Sequence, residues 1–247
     1  MPVLGAPIDV LSPAEAVARI AAWALRRESR VVCMCNVHSV VTASKDPEFM
    51  RVIEAADMAA PDGAPVAWML RRLGAAAQTR VAGPELMLQY CAHAAACGES
   101  LFLYGGTEAT LRRLQSRLCQ RWPALQIAGA LAPPFRILTA AEDDAIVETI
   151  NASGAATVWV GLGCPKQELW MAAHRTRVQA VMIGVGAAFD FHAGTRPRAP
   201  EWMRKRGLEW LFRLATEPRR LGRRYAVTNL AFMYGTARQL LLDRRAR

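Results

Sequence analysis

The chain has 247 residues, of which 53% are hydrophobic and 21% charged, and this composition excludes a largely disordered protein. No secretory signal opens the sequence, and no uncharged apolar run approaches the roughly 20 residues of a membrane span, so we expect a cytoplasmic protein. The net charge of +10 lies entirely in residues 196–247, which hold 14 basic and four acidic residues, against 17 of each in residues 1–195. This asymmetry predicts an anionic partner for the C-terminal segment.

Apolar strands alternate with helices along residues 1–195. The first helix is predicted at 12–27, with Ser12 as N-cap, and a buried strand then runs from Arg30 to Asn36. Further strands are predicted at 58–61, 100–106, 125–129, 157–161 and 180–184, and further helices at 39–56 with a break near 46–47, 64–73, 84–97, 108–122, 141–153 and from about 165. This alternation is typical of an α/β fold, Rossmann-like and doubly wound, with a mainly parallel sheet.

One boundary is visible in the composition. Around residues 194–200 the sequence changes from neutral α/β to basic and helical. We therefore predict a Rossmann-like core at 1–195 and a basic helical appendage at 196–247. The six cysteines form no C-x-x-C pair and have no histidine at zinc-ligand spacing, which predicts free thiols and no structural metal.

Ligands of doubly wound sheets bind beyond the carboxyl ends of the strands, and glycine and polar residues collect there in this sequence. The segment VGLGCPKQELW at 160–170 predicts a tight turn whose free N–H groups and Lys166 form an anion site, with Gln167 and Glu168 available to a sugar or base. A tight turn with solvated Lys and Glu is the alternative. Asp62 follows a strand in the turn Pro-Asp-Gly, where it either caps its own loop or accepts a proton from a substrate hydroxyl.

The C-terminal third carries two further patterns. Asp190, His192 and two arginines crowd into a strand-to-loop passage at 184–203, which is otherwise explained as a loop packed by its own phenylalanines. Beyond it, arginines alternate with aromatic residues, as in a basic helix at a membrane surface or a solvated basic face. Nucleic acid is the rival anion, but the sequence has no motif that reads it.

Taken together, these motifs resemble those of the WecG/TagA/CpsF family of bacterial glycosyltransferases over about residues 5–235. The resemblance rests on Asn36, Pro61-Asp-Gly63, Arg80-Val-Ala-Gly-Pro84, Phe102-Leu-Tyr-Gly-Gly106, Gly161-Leu-Gly-Cys-Pro-Lys-Gln-Glu168, Gly184-Val-Gly-Ala187, Phe189-Asp-Phe191, Ala193-Gly194, Arg198-Ala-Pro200, Gly207-Leu-Glu-Trp210 and Glu217-Pro-Arg219. It implies an inverting transferase that moves a sugar from a UDP-sugar to a lipid-diphosphate-linked sugar at the inner face of the cell membrane. The appendage would help to close the site there.

The resemblance also implies roles for single residues. The catalytic carboxylate corresponds to Asp62, and the tail arginines correspond to some of residues 213, 220, 223 and 224. With the residues of the sheet edge added, the predicted substrate-binding set is Asn36, His38, Arg80, Gly105, Gly106, Gly161, Gly163, Lys166, Gln167, Glu168, Gly186, Asp190, Arg213, Arg220, Arg223 and Arg224. No cofactor is predicted. The sequence contains no Asp-x-Asp, the motif that holds a metal in many nucleotide-sugar transferases, so a metal-independent reaction is expected.

One departure from the family concerns the donor sugar. Teichoic-acid members have a Thr where this chain has Met34, and Asn-Val-His-Ser at 36–39 is more similar to exopolysaccharide members such as the xanthan glucosyltransferase GumM. UDP-glucose is therefore the favoured donor, with a UDP-N-acetylmannosamine(uronic acid) donor as the alternative. An NAD-dependent oxidoreductase and a non-enzymatic adaptor are alternatives of other classes. The oxidoreductase lacks a complete glycine fingerprint, and the adaptor leaves the glycines unexplained. Whether the chain forms a homo-oligomer stays open.

Overall fold

The computed structural model describes residues 1–245, and its centre is a six-stranded parallel sheet. A small antiparallel hairpin of β1 (Pro2–Val3) and β2 (Ala6–Pro7) precedes it. The sheet strands are β3 (Arg30–Cys35), β4 (Met58–Pro61), β5 (Ser100–Gly105), β6 (Gln126–Leu131), β7 (Thr157–Gly161) and β8 (Val181–Gly184). Their spatial order is β4-β3-β8-β7-β5-β6. Because the strands are parallel, all their carboxyl ends lie at one edge of the sheet. The predicted α/β class is confirmed.

Twelve helices accompany the strands within residues 1–245. The helices of the core are α1 (Pro13–Leu25), α2 (Val37–Ala43), α3 (Pro47–Glu54), α4 (Ala64–Leu73), α5 (Gly83–Cys97), α6 (Glu108–Arg121), α7 (Ala140–Ala152), α8 (Lys166–Ala173) and α9 (Ala188–Ala193). Those of the appendage are α10 (Glu201–Lys205), α11 (Glu209–Thr216) and α12 (Pro218–Arg245). Capping boxes at Ser12 and Thr139 begin α1 and α7, which explains why the starts of these helices were predictable from sequence.

Helices cover both faces of the sheet, as its continuous apolar strands require. On one face, α2, α3, α4, α7 and α8 bury residues such as Phe49 and Met69. On the other, α1, α5, α6 and α9 bury residues such as Tyr90 and Phe189. Trp159 of β7 is completely buried in the second layer and is the largest side chain there. Its ring packs against that of Tyr90. Because both layers are packed, only the rim of the sheet is left for a ligand.

Two elements differ from the prediction. The N-terminal hairpin is too short to give a strand pattern in the sequence. Residues 188–193, expected to pass from strand to loop, form the short helix α9 between Gly186 and Gly194, which have φ of 51° and 67°. A six-residue helix is too short to show helical periodicity, so the sequence could not reveal it.

The appendage packs on the core rather than extending from it. Helix α12 lies on α2 and α4, with Leu221 and Phe232 buried, and Phe232 joins the first core layer. Farther along, the Gln239 side chain accepts a hydrogen bond from the Leu4 N–H and donates one to the Pro2 carbonyl, both at 2.9 Å. Helix α12 therefore reaches the N-terminal hairpin, while α10 and α11 lie near the sheet edge.

Candidate active site

Asp62 and Asn36 leave the sheet side by side. Strand register pairs Cys35 of β3 with Pro61 of β4, so the residues that follow them are neighbours at the carboxyl edge. The Asp62 N–H donates to the Cys35 carbonyl at 3.0 Å. Gly63 then has a φ of 87°, a conformation that favours glycine, and α4 begins at once. This sharp turn fixes the Asp62 carboxyl at the rim.

Asn36 serves α2 and Asp62 at the same time. Its Oδ1 caps α2 by accepting the N–H groups of His38 at 2.9 Å and Ser39 at 3.3 Å. The Asn36 side chain also lies close enough to Asp62 to lower the pKa of its carboxyl. Asn36 therefore stands between the start of α2 and the Asp62 carboxyl.

The surroundings of Asp62 raise its pKa to about 7. Burial is the largest cause, and the nearby carboxylates of Glu209 and Glu85 act in the same direction. The Arg80 guanidinium and the Asn36 amide lower the Asp62 pKa, but they do not cancel this rise. Asp62 is half-buried rather than enclosed, so its carboxyl can still meet a ligand. A carboxylate that titrates near neutrality is suited to accept a proton during a reaction.

Five charged residues of the core and the appendage meet beside Asp62, and we call this group the charged bridge. Its members are Arg80, Glu85, Arg198, Arg204 and Glu209. Arg80 contacts Glu85 at 3.3 Å and Glu209 at 3.5 Å. Arg198 contacts the same two acids at 2.6 and 3.4 Å, and Arg204 contacts Glu85 at 2.8 Å. The bridge thus links α5 to α10 and α11 through two acids that share three guanidinium groups.

Of the charged bridge, only Arg80 was predicted as a site residue. The Arg80–Glu209 contact joins positions 129 residues apart, and no spacing rule detects such a pair. Two signals in the sequence pointed to Glu209: it lies in the motif Gly207-Leu-Glu-Trp210, and it is among only four acids in a strongly basic segment. An acid retained among so many arginines indicates a specific partner, but it does not identify that partner.

The β7–α8 loop differs from the predicted anion site. The Gly163 N–H donates to the Gln167 side-chain oxygen at 3.1 Å, and the Gln167 amide donates to the Glu168 carboxylate at 2.8 Å. Glu168 is 1% exposed and Gln167 is 4% exposed, so these two side chains are enclosed rather than presented to a sugar or base. Burial raises the pKa of Glu168. The loop holds itself together with the groups that were expected to hold a ligand. Lys166 is exposed at its tip.

Packing explains several of the predicted rim glycines. A Cβ on Gly161 would lie 2.6 Å from the Phe189 ring, and one on Gly105 would lie 2.7 Å from the Gly161 backbone. Close packing of α9 and β7 is therefore sufficient to explain glycine at these two positions. Gly163 has open space around its Cβ position, Gly186 lies beside it, and Gly106 and Gly186 are half-buried. The last three remain candidate ligand contacts.

The appendage brings some of its predicted arginines to the rim. Arg224 lies close enough to His38 to lower the pKa of that imidazole, although burial is the larger cause. Arg213 stands over the Phe191 ring at 5.6 Å, and its Nε is buried without a hydrogen-bond partner among the described residues. Both guanidinium groups therefore belong to the same end of the molecule as Asp62 and Asn36.

Three other predicted residues have different surroundings. Asp190 pairs with Arg196 at 3.1 Å, and Arg196 pairs with Glu217 at 2.6 Å. Glu217 also pairs with Arg220. Asp190 and Arg220 are thus the two ends of a second ionic chain between α9 and α12, and Arg223 is exposed. His192 is held by the Pro84 carbonyl at 2.9 Å, which fits a packing role.

All six cysteines are free thiols, as predicted. Within residues 1–245 no three His, Cys, Asp or Glu side chains gather as a metal-binding group. Across the same residues, no helix combines the length and the apolar character needed to cross a bilayer.

Comparison with known families gives one match over nearly the whole chain. A family model described as "Glycosyl transferase WecG/TagA/CpsF family" matches residues 1–246. The match includes both the sheet edge that carries Asp62 and the appendage that carries Glu209.

Proposed function

Because this chain belongs to the WecG/TagA/CpsF family of glycosyltransferases, we propose that it transfers a hexose, with inversion, from a UDP-sugar to a polyprenyl-diphosphate-linked sugar. Met34 and the sequence at 36–39 favour UDP-glucose as the donor, and a UDP-N-acetylmannosamine(uronic acid) donor is the alternative within the family. The product would enter an exopolysaccharide or another cell-surface glycan. Because the family is one of glycosyltransferases, the oxidoreductase alternative is no longer needed.

The state of Asp62 is the observation that carries this proposal. Its carboxyl stands at the carboxyl edge of the sheet, half-buried, with a pKa of about 7. At neutral pH a large fraction of the molecules therefore hold an ionised carboxylate with the proton affinity of a general base. A solvated aspartate, with its much lower pKa, would be a weaker base at the same position.

The proposed reaction is a single displacement. An acceptor hydroxyl of the lipid-linked sugar attacks the anomeric carbon of the donor from the face opposite UDP. The Asp62 carboxylate takes the hydroxyl proton as the new glycosidic bond forms. The bond between the anomeric carbon and the diphosphate oxygen breaks, and its electron pair leaves with UDP. The neighbouring Asn36 amide favours the ionised form of the carboxyl, because it lowers the Asp62 pKa.

The negative charge that develops on UDP needs a positive partner. We assign this role to the appendage arginines at 213, 220, 223 and 224, together with Arg80. The buried Nε of Arg213 supports the assignment, because an unpaired buried donor is costly and an anionic oxygen would satisfy it. The Arg220 and Arg223 side chains would have to turn toward the rim, since Arg220 now pairs with Glu217. Guanidinium groups in this role make a metal unnecessary.

We further propose that the appendage, residues 196–247, closes the site of the core, residues 1–195, at the inner membrane face. Trp202 of α10 is 54% exposed, and Trp210 of α11 is 41% exposed. The exposed Lys205 and Arg206 lie between them in the chain. Exposed indole rings beside basic side chains suit an anionic lipid surface. Residues 246–247 lie outside the described part of the chain.

The test is a transfer assay with a panel of UDP-sugars and short lipid-diphosphate acceptors, with and without EDTA. We expect a product with UDP-glucose, turnover that survives EDTA, and a rate that rises with pH through about 7 as Asp62 ionises. Transfer from UDP-N-acetylmannosamine instead would select the alternative donor. Loss of turnover in EDTA with recovery on added Mg²⁺ would refute the metal-free account. No transfer from any UDP-sugar would refute the proposed donor class.

A further inference from the structure

Two acids of the charged bridge contact the Arg80 guanidinium. Arg80 stands between Glu85 of α5 and Glu209 of α11, at 3.3 and 3.5 Å, and its charge also acts on the Asp62 carboxyl. Arg80 is thus surrounded by three carboxylates, two of which keep it occupied. Of those two, only Glu209 comes from the appendage. The position of α11 therefore bears on how strongly Arg80 can pair with Asp62.

Arg198 pairs with the same two acids as Arg80. Its side chain is 17% exposed, and it pairs with Glu85 at 2.6 Å and with Glu209 at 3.4 Å. The Nη2 of Arg198 and the Oε2 of Glu85 are fully buried. Loss of Glu209 would leave three cations to share one acid, and poorly compensated buried charges seek the nearest anion. Besides Glu85, the carboxyl on which the Arg80 charge acts is that of Asp62.

We propose that Glu209 is a positioning residue of the transfer reaction, which holds Arg80 and Arg198 so that the Asp62 carboxylate stays free to accept a proton. The inference rests on the proposed function, because it takes Asp62 as the base. It adds that the appendage contributes an acid to the site, besides the arginines expected from its net charge.

The groups that face Asp62 from each side agree with this role. They are Glu209 from α11, Glu85 from α5, Arg80 from the segment before α5, the Cys35 thiol from β3 and the neutral amide of Asn36. After burial, Glu209 has the largest effect on the Asp62 pKa, and it raises it. Release of α11 would remove that charge and part of the burial together. Docking of the appendage and basicity of Asp62 are therefore coupled.

The test compares three variants of the full chain. Glu209→Gln removes the charge with little change of shape, and Glu209→Asp keeps the charge. Glu201→Gln is the matched control, because it removes one negative charge from the exposed side of α10, where Glu201 pairs with Lys205 at 2.8 Å. The readout is the titration of the Asp62 carboxyl by carbon-detected NMR, with its signal assigned through Asp62→Asn. This readout requires no knowledge of the sugar, and the pH dependence of transfer is measured beside it.

We expect Glu209→Gln to move the Asp62 midpoint from about 7 to about one pH unit lower, and the acidic limb of the transfer rate to move with it. Glu209→Asp and Glu201→Gln should keep the midpoint close to that of the wild type. An unchanged midpoint in folded Glu209→Gln would overturn the inference. If Glu209→Gln releases the appendage, the Glu209→Asp variant, which keeps the charge, is the decisive one. An Asp62 midpoint as low in Glu209→Asp as in Glu209→Gln would show that the Glu209 charge does not set the Asp62 pKa, and the inference would be wrong.

The two proposals fail in different ways. If Asp62→Asn transfers sugar at a normal rate, Asp62 is not the base, and both the mechanism and the role of Glu209 are lost. If Asp62→Asn is inactive while Glu209→Gln leaves the midpoint and the pH profile unchanged, the proposed function stands and only the inference about Glu209 fails.

Discussion

The β4–α4 turn and the β7–α8 loop follow parallel strands of the same sheet, and each carries an acid whose pKa is raised by burial. The first acid, Asp62, is half-buried at the rim and faces Arg80 and the appendage. The second, Glu168, is 1% exposed and bonded to its neighbour Gln167. A raised pKa thus arises in both places, but only the accessible carboxyl can exchange a proton with a ligand. Access, not the pKa shift, distinguishes a candidate base from a structural acid.

The glycines of the two segments teach the same distinction. Gly63 permits the left-handed conformation that turns the chain directly after Asp62. Gly161 has no such backbone requirement, but it leaves room for the Phe189 ring. Gly63 shapes the candidate site and Gly161 shapes the core, although both lie at the carboxyl end of a strand in a motif that resembles a ligand loop.

The largest expected effect is on transfer. Asp62→Asn removes the proton acceptor and should lower the transfer rate about 10²- to 10⁴-fold while the protein stays folded. Glu168→Gln should lower it far less, because Gln resembles the neutral acid that burial favours. Asp144→Asn, on the solvent side of α7 with a 74% exposed side chain, is the matched control for Asp62→Asn and should transfer normally. Equal losses in the Asp62 and Glu168 variants would remove the distinction between the two segments.

The next largest expected effect is the loss of stability when Gly161 is replaced. Gly161→Ala places a methyl group 2.6 Å from the Phe189 ring and should lower the free energy of unfolding by about 1–3 kcal/mol, measured by urea denaturation. Gly222→Ala is the control, because its Cβ meets nothing within 4 Å in α12 and alanine favours a helix, for a gain of up to about 1 kcal/mol. A Gly161→Ala protein as stable as the wild type would mean that the Phe189 ring can shift to make room for the methyl group. Close packing would then not explain glycine at position 161, and a ligand contact would be the better explanation.

The smallest effect concerns stability and pH at Asp62. Its folded pKa of about 7 exceeds the ordinary 3.8, so the folded state keeps a proton that the unfolded chain has released. Wild-type stability should therefore fall as pH rises from about 4 to about 7. Asp62→Asn avoids this loss and should be more stable at pH 8 by about 1–2 kcal/mol, a value reduced for the partial exposure of the carboxyl.

The comparison of that variant with wild type is made by urea denaturation at pH 8 and at pH 5. The gap should narrow at pH 5, where most of the wild-type carboxyl is protonated in the folded state. A gap of the same size at both pH values would mean that the Asp62 carboxyl is not held at a raised pKa.

Much of the fold was predictable because its signals are local. Apolar runs gave β3, β5 and β7 nearly to the residue, and Ser12 and Pro13 marked the start of α1. Helix α9 and the hairpin of β1 and β2 were missed, since each is shorter than the period that would reveal it. Part of the candidate site has local signals as well, because Asn36 and Asp62 follow strands and parallel strands end at one edge.

The sequence by itself determined the sheet, the family and the turn that presents Asp62, because periodicity, capping and turn chemistry act between near neighbours. Tertiary structure decided the surroundings of each acid. It enclosed Glu168 beneath its own loop and brought Glu209 against Arg80 across 129 positions. Electrostatic effects depend on distance and burial in space, and neither can be read from positions along a chain.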